Sequence, residues 1–287
     1  MNTAQPLRWI FLGGRPLGVA CLEALKQVGY VPEIIITNPD RPAGRGQVMT
    51  PPQEKVWGDA HGVTVLQPEK LSDVEDALIA AGPWDVFALA AYGQILSKKF
   101  LSIPHKGVVN MHPSLLPKMR GPSPVRSAIL TNARDAVGVS VMIIDSKMDH
   151  GPLLAQQNIV TESWPLPGRA LDALLITAGA QLLAETFPKY VRGEIEPIEQ
   201  NHAAATYCKM FEKTDAEIDL TADANTNLFK ICAYDEWPGA YTFVERAGKK
   251  IRLKIISARV EGDRLILERV IPEGKKEMDY TDFVRNT

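Results

Sequence analysis

Cysteine is scarce in this chain of 287 residues: Cys21, Cys208 and Cys232 are odd in number, far apart and outside any CxxC or Cys/His ligand spacing. That sets aside a disulfide framework and a structural zinc site, and no metal is expected. Long hydrophobic runs are missing too. The longest, such as 34–36 and 86–91, fall well short of the roughly 20 residues that cross a bilayer, so no membrane partner is expected. Neither sign of charge dominates, with 32 basic against 34 acidic residues and a net charge of −2. A nucleic-acid partner would therefore be held by local patches, not by the field of the whole chain. The first residues lead into a strand-like run without the charged flank and small-residue cleavage site of a secretory leader, and a cytoplasmic protein is expected. Repeats and low-complexity tracts are absent. What is present is ordinary: 45% hydrophobic and 23% charged residues exclude collagen-like, fibrous and disordered classes. The length fits two domains of about 100–200 residues each.

The first half alternates short apolar runs with helical patterns. Residues 7–12 form a buried-strand run ending at Gly13-Gly14, Val19, Leu22 and Leu25 follow at helical spacing, and 33–37 reads as a second strand, which makes a β-α-β unit. A long turn-rich loop is expected over 38–52. A helix over 53–60, a strand over 63–66 and a helix over about 72–81 follow, then buried strands at 86–91 and 107–111. Strands alternating with helices imply a mainly parallel, Rossmann-like sheet in an α/β domain. Ligands bind such sheets at the carboxyl ends of strands, which puts the loops starting at Gly13, Asn38, Tyr92 and His112 on one functional face. A strand over 137–145 and a helix over 169–191, with Leu171, Leu174, Leu175, Leu182 and Leu183 on its buried side, complete the half. Periodicity then stops. We place a catalytic domain at 1–192, a linker at 193–206 and a small β-rich domain at 207–287, with a helix over 225–233 and strands over 240–245, 250–258 and 264–269.

Candidate chemistry concentrates in Asn110-Met-His112-Pro-Ser114-Leu115-Leu116-Pro117-Lys-Met-Arg120-Gly121. Asn110 and His112 are two apart at a strand end, so their side chains share a side and stand at the sheet's ligand edge. Taken singly, each has a plainer reading as a strand cap or a satisfier of loop backbone. The same holds for Asp149 in Met148-Asp149-His150-Gly151-Pro152, where an Asp before Gly-Pro reads as a turn residue. Together they support more. A carboxylate near a histidine holds its tautomer, and an amide beside it donates to a developing oxyanion. No GxSxG elbow is present and no cysteine neighbours a histidine in sequence, so the set suits acyl transfer without a protein nucleophile.

Asn-x-His-x-Ser-Leu-Leu-Pro-x-x-Arg-Gly followed by Met-Asp-x-Gly resembles the folate-dependent formyltransferase family. The resemblance implies 10-formyltetrahydrofolate as formyl donor and co-substrate, and Asn110, His112 and Asp149 as the catalytic trio. It places the folate near Tyr92, Gly93, Gln94 and Ile95, the Ser114, Leu115, Leu116 and Pro117 segment, and Asp145, with Ile95, Leu115 and Leu116 packing the pterin. Asn38-Pro39-Asp40-Arg41-Pro42-Ala43-Gly44-Arg45-Gly46 resembles the acceptor-stem loop of those members that formylate methionyl initiator tRNA. Its glycines let backbone approach a ligand and its arginines suit phosphate or base edges. That makes Arg41, Pro42, Gly44 and Arg45 candidate tRNA contacts, against the alternative of a solvated surface loop.

In the second domain, Arg246, Lys249, Lys250, Arg252, Lys254 and Arg259 lie within 246–260 without an acidic residue. Ile251, Leu253 and Ile255 alternate with Lys250, Arg252 and Lys254, so a strand here buries one face and presents a cationic row on the other. The row fits a phosphate backbone, and equally an edge protected by lysines. Ala205-Thr206-Tyr207, Trp237-Pro238 and Gly274-Lys275-Lys276-x-Met278 resemble the second domain of the tRNA-acting members, whose fold is an OB-like barrel and which act as monomers. The stretch between Arg259 and Pro272 is shorter here, implying a reduced, OB-like barrel. The alternative within formyl transfer is an N-formyltransferase acting on a nucleotide-linked amino sugar, which shares the trio and suits a short second domain. A hydrolase releasing formate from the same folate and a non-catalytic RNA- or folate-binding protein are the other readings.

Overall fold

The computed structural model describes residues 6–44, 46–246 and 248–285. Arg45, one of the candidate tRNA contacts, lies outside them. The elements of the first half are β1 (Trp9–Gly13), α1 (Arg15–Gln27), β2 (Ile34–Ile36), β3 (Arg41–Ala43), β4 (Val48–Thr50), α2 (Gln53–His61), β5 (Thr64–Leu66), α3 (Glu75–Ala81), β6 (Val86–Ala90), α4 (Lys98–Leu101) and β7 (Val108–His112). After these come α5 (Pro124–Leu130), β8 (Gly138–Ile143), β9 (Leu153–Asn158), α6 (Gly168–Val191), α7 (Ala224–Ala233), β10 (Tyr241–Arg246), β11 (Lys249–Glu261), β12 (Arg264–Pro272), β13 (Met278–Asp279) and α8 (Tyr280–Arg285).

Contacts divide the chain into two compact units. The first comprises Met1–Arg120, Gly138–Asn158 and Leu175–Ala205; the second comprises Gly121–Val137, Ile159–Leu174 and Thr206–Thr287. Residues 193–205, read above as linker, thus group with the first unit, and two earlier segments group with the C-terminal one.

The first unit is built on a seven-stranded sheet of order β5-β2-β1-β6-β7-β8-β9. Its first five strands are parallel, and β8 and β9 are antiparallel additions. β1, β6 and β7 are buried along their whole length, as the uninterrupted apolar runs of a doubly covered parallel sheet require. Since β1, β2, β6 and β7 run in one direction, the segments after Gly13, Ile36, Ala90 and His112 emerge at one edge. The turn-rich stretch 38–52 is better ordered than expected. It folds as an antiparallel hairpin of β3 on β4, with Pro42 opposite Met49 and Gly44 in the left-handed region (φ 69°).

Glu54, in the first turn of α2, is 0% exposed. Thr37 Oγ1 donates to its Oε2 at 3.5 Å, and its Oε1 has no partner among the described residues. Burial pushes the carboxyl above the usual range, because a low dielectric disfavours its charged form. It occupies space left by Gly18, where an added Cβ would come within 2.3 Å of Oε1.

Helix α6 is apolar enough, by length and composition alone, to cross a membrane. Leu171, Leu175, Leu183 and Phe187 are buried, the last against Trp9 at 4.9 Å between ring centres. Leu174, expected on the buried side, is 46% exposed instead. A helix apolar nearly all round offers no stripe by which periodicity could sort its leucines.

The second unit carries an antiparallel sheet of order β10-β11-β12-β13. Among the described residues β10 and β13 stay unpaired with each other, so this sheet is open. Leu253 and Ile255 of β11 are buried while Lys250 and Arg252 face solvent, the alternation expected of a half-buried strand.

Candidate active site

Asn110 and His112 project from the end of β7, both nearly sealed at 6% and 5% exposure. His112 Nε2 donates to the carbonyl of Met119 at 3.1 Å. A carbonyl only accepts, so this contact places a proton on Nε2 and leaves Nδ1 turned toward Asp149, whose Oδ1 is 3.7 Å away. The Asn110 side-chain amide makes no hydrogen bond among the described residues. It is thus a donor left over by the fold on a nearly buried residue, which a ligand oxygen would satisfy.

Asp149 reaches this edge by an unusual route. β8 is antiparallel to β7, so its carboxyl end lies at the far edge, and the 144–152 connection brings the carboxylate back. The turn is tight. Asp149 sits in the left-handed region (φ 47°), and a Cβ on Gly151 would fall 2.0 Å from the Ile143 carbonyl. Only glycine fits there.

The segment between His112 and Arg120 is held by its own hydrogen bonds. Ser114 Oγ donates to Lys118 O at 2.7 Å, and Ser140 Oγ, opposite His112 on β8, donates to Ser114 O at 2.6 Å. Ser140 Oγ also accepts from Leu116 N, while Gln156 donates to Leu116 O and to Ser140 Oγ. Leu115 packs on Gly138, where a Cβ would approach it to 2.6 Å, and Leu116 is 3% exposed. Pro117 ends the braced stretch. These contacts make 114–117 the mould that presents the Met119 carbonyl to His112.

Of the other expected folate contacts, Tyr92 lies in the core with a buried hydroxyl lacking a partner among the described residues, and burial pushes it up to about 12. Gly93 is exposed, and Gln94 accepts from Leu71 N at 2.7 Å, which ties the loop to 68–71. Ile95 stands 95% exposed on the same loop. Asp145 accepts from Lys147 N at 2.8 Å and from His150 Nδ1 at 2.6 Å, so it shapes the turn carrying Asp149.

The hairpin of β3 and β4 is exposed throughout. Arg41 pairs with Glu69 at 2.6 Å, both side chains about two-thirds exposed, an arrangement worth about 0–1 kcal/mol and easily exchanged for phosphate. The hairpin's base is firmer. Asp40 accepts from Gln67 and pairs with Lys55, which together hold its carboxyl below the usual range. On the second unit's sheet, Lys250 lies 4.5 Å over Phe243 and Arg252 3.9 Å over Tyr241, and Lys254 stands opposite Tyr241.

Several residues of this edge carried no signal of their own: Met119, which acts through its carbonyl, Ser140, Gln156 and Gln200; Arg120 stood in the motif, but without a role. Arg120 is 1% exposed and Gln200 4%.

The formyl transferase family model matches residues 7–162. Over 239 residues the chain is 46% identical to the methionyl-tRNA formyltransferase of Chloroflexus aurantiacus, spanning 83% of this chain and 76% of that protein. This chain belongs to the methionyl-tRNA formyltransferase family. The methionyl-tRNA formyltransferase of Roseiflexus castenholzii is 40% identical, with 97% of this chain and 96% of that protein covered. An N-formyltransferase from Helicobacter canadensis, solved with folinic acid and dTDP-3-aminofucose, superposes with a TM-score of 0.64 at 18% identity over 96% of this chain and 99% of that one. At that identity the likeness shows a shared fold. The match over 7–162 takes in β1 to β9 and every residue of the edge just described except Gln200.

Proposed function

We propose that this methionyl-tRNA formyltransferase family member transfers the formyl group of 10-formyltetrahydrofolate to the α-amino group of methionyl initiator tRNA, as a monomer in the cytoplasm. The observation that carries the reading is the buried edge where His112 Nδ1 faces Asp149 and Asn110, two residues back on the same strand, keeps its amide unspent. These polar groups suit a formyl oxygen and an amine. The folate supplies a formyl group on a nitrogen able to leave.

The amine nitrogen bonds to the formyl carbon, the carbon's bond to the folate nitrogen breaks, and the proton the amine gives up equals the one the leaving nitrogen needs. Little activation is required, because an α-amino group of ordinary pKa, about 7.7–8.0, is partly neutral at pH 7. Asn110 donates to the formyl oxygen as negative charge develops there. Asp149 takes the amine proton and faces His112 Nδ1, and with Nε2 committed to Met119, Nδ1 is the imidazole position that exchanges a proton. Tyr92, Gly93, Gln94 and Ile95, with Ser114, Leu115, Leu116, Pro117 and Asp145, border the folate. Exposed Ile95 gives a flat ring an apolar surface to cover.

Residues 1–192 carry the chemistry in this reading, 193–206 join the halves and 207–287 add grip on the acceptor. Arg41, Pro42 and Gly44 of the hairpin meet the acceptor stem, and Lys250, Arg252 and Lys254 meet phosphates. The test is a formyl-transfer assay with initiator methionyl-tRNA, elongator methionyl-tRNA and an amino-sugar nucleotide as competing acceptors. Transfer selective for the initiator is expected. Formylation of the sugar with inert tRNA would overturn the acceptor.

A further inference from the structure

Gln200 sits in a stretch without apolar periodicity, yet it is 4% exposed and every polar atom of its side chain is engaged. Its Nε2 donates to two carbonyls of the turn that carries the candidate proton acceptor, Asp149 O at 3.0 Å and Gly151 O at 2.7 Å. Its Oε1 accepts from Arg120 twice, from Nε at 3.2 Å and from Nη2 at 2.7 Å. The arginine has no acceptor atoms, so it fixes which end of the amide is oxygen and hence which end faces the turn. Arg120 also follows directly after Met119, whose carbonyl holds His112 Nε2. The backbone carrying 200 is itself pinned, by Leu153 and Ile198 exchanging hydrogen bonds at 2.7 and 2.8 Å. Arg120 and Gln200 therefore join the two segments that must meet for His112 and Asp149 to face each other.

We propose that Gln200 is a positioning residue for formyl transfer: a clamp on the 149–151 turn that sets the Asp149 carboxylate against His112. Resting on the reading above, it adds a requirement for catalysis from outside the 7–162 segment. The turn has need of one. Asp149 holds a backbone conformation unfavourable to a residue with a side chain, and its approach to His112, at 3.7 Å, leaves little tolerance before proton transfer suffers.

Gln200→Glu separates the clamp from mere packing. It keeps size and shape and still accepts from Arg120, but it replaces two donations to carbonyls by oxygen facing oxygen. Gln200→Met keeps the volume and removes both sets of bonds. In the full-length chain, Gln200→Glu is expected to keep the wild-type melting temperature. It is expected to lose about 10- to 100-fold in kcat, the scale of a positional error at a reacting centre, with KM for both substrates within about twofold. Amide hydrogen exchange across 146–153, measured without substrates, is expected to quicken in both variants while exchange in β1 and β6 stays as it was. Wild-type kcat in Gln200→Glu, or unchanged exchange in that turn, overturns the clamp. So does a fall in kcat matched by falls in melting temperature and both affinities. If the wild type formylates an amino-sugar nucleotide and no tRNA, the acceptor reading fails alone. The kcat ratio on the sugar and the exchange data still decide the clamp.

Discussion

The end of β7 and the hairpin of β3 and β4 belong to the same unit, and they solve opposite problems. At the end of β7 the polar side chains are braced by backbone carbonyls and by one another, only the Asn110 amide and the His112–Asp149 gap being open, and Asn110 and His112 are almost dry. On the hairpin the residues of both strands are wet and Arg41 is held by one surface carboxylate. Reaction chemistry needs groups whose positions cost nothing to maintain at the moment of reaction. Recognition of a polyanion needs cations that give up their partner readily and gain from released counterions. The two regions should therefore fail in different ways.

The sharpest test of that division, and the largest expected effect, is Asn110→Ala. Removing one donor to a developing oxyanion is expected to lower kcat by about 10²–10³-fold with tRNA affinity and melting temperature unchanged; steady-state kinetics over both substrates measure it. Arg41→Ala is expected to do the converse. KM for tRNA should rise about tenfold at constant kcat, and the salt dependence of binding should lose about one unit of slope. Should Arg41→Ala lower kcat while KM stays put, the hairpin acts on the chemistry and the division breaks.

The smallest effect concerns stability. The raised Glu54 carboxyl binds its proton more tightly folded than unfolded, so stability is fullest below the ordinary carboxylate range. It declines as pH rises through the folded value, by at most about 1.4 kcal/mol per pH unit. Glu54→Gln, neutral at every pH, should flatten that slope in urea titrations between acidic and neutral pH. An unchanged slope would mean that the carboxyl is solvated in solution.

The sequence displays the parallel sheet because its strands are buried on both faces and read as unbroken apolar runs. It displays Asn110 and His112 because they share a strand end, whereas Asp149 is joined to them as a trio by the resemblance to the formyltransferase motif. β11 was equally readable from its alternation. β9 was not: Leu153-Leu-Ala-Gln-Gln-Asn is an edge strand turning polar halfway, with neither a run nor an alternation. The hairpin was read as loop, since three-residue strands rich in Pro and Gly carry no period. Gln200 was the least legible. Its burial depends on Arg120, 80 residues away, and on carbonyls whose positions no residue identity reveals. The linker reading of 193–206 rested on composition, and a segment can lack periodicity because it is tied by single polar contacts instead of by a hydrophobic face.

Glu54 and Gly18 also carry a consequence for how this sequence can change over time. The carboxyl occupies the volume that a side chain at 18 would need, so what position 18 can hold depends on residue 54. A descendant that acquires alanine at 18 must swing the Glu54 carboxyl aside or shorten residue 54. One that loses the buried acid is then free to fill position 18. The pair behaves as one inherited character spread over two sites, and parallel changes at 18 and 54 along diverging lineages are its signature.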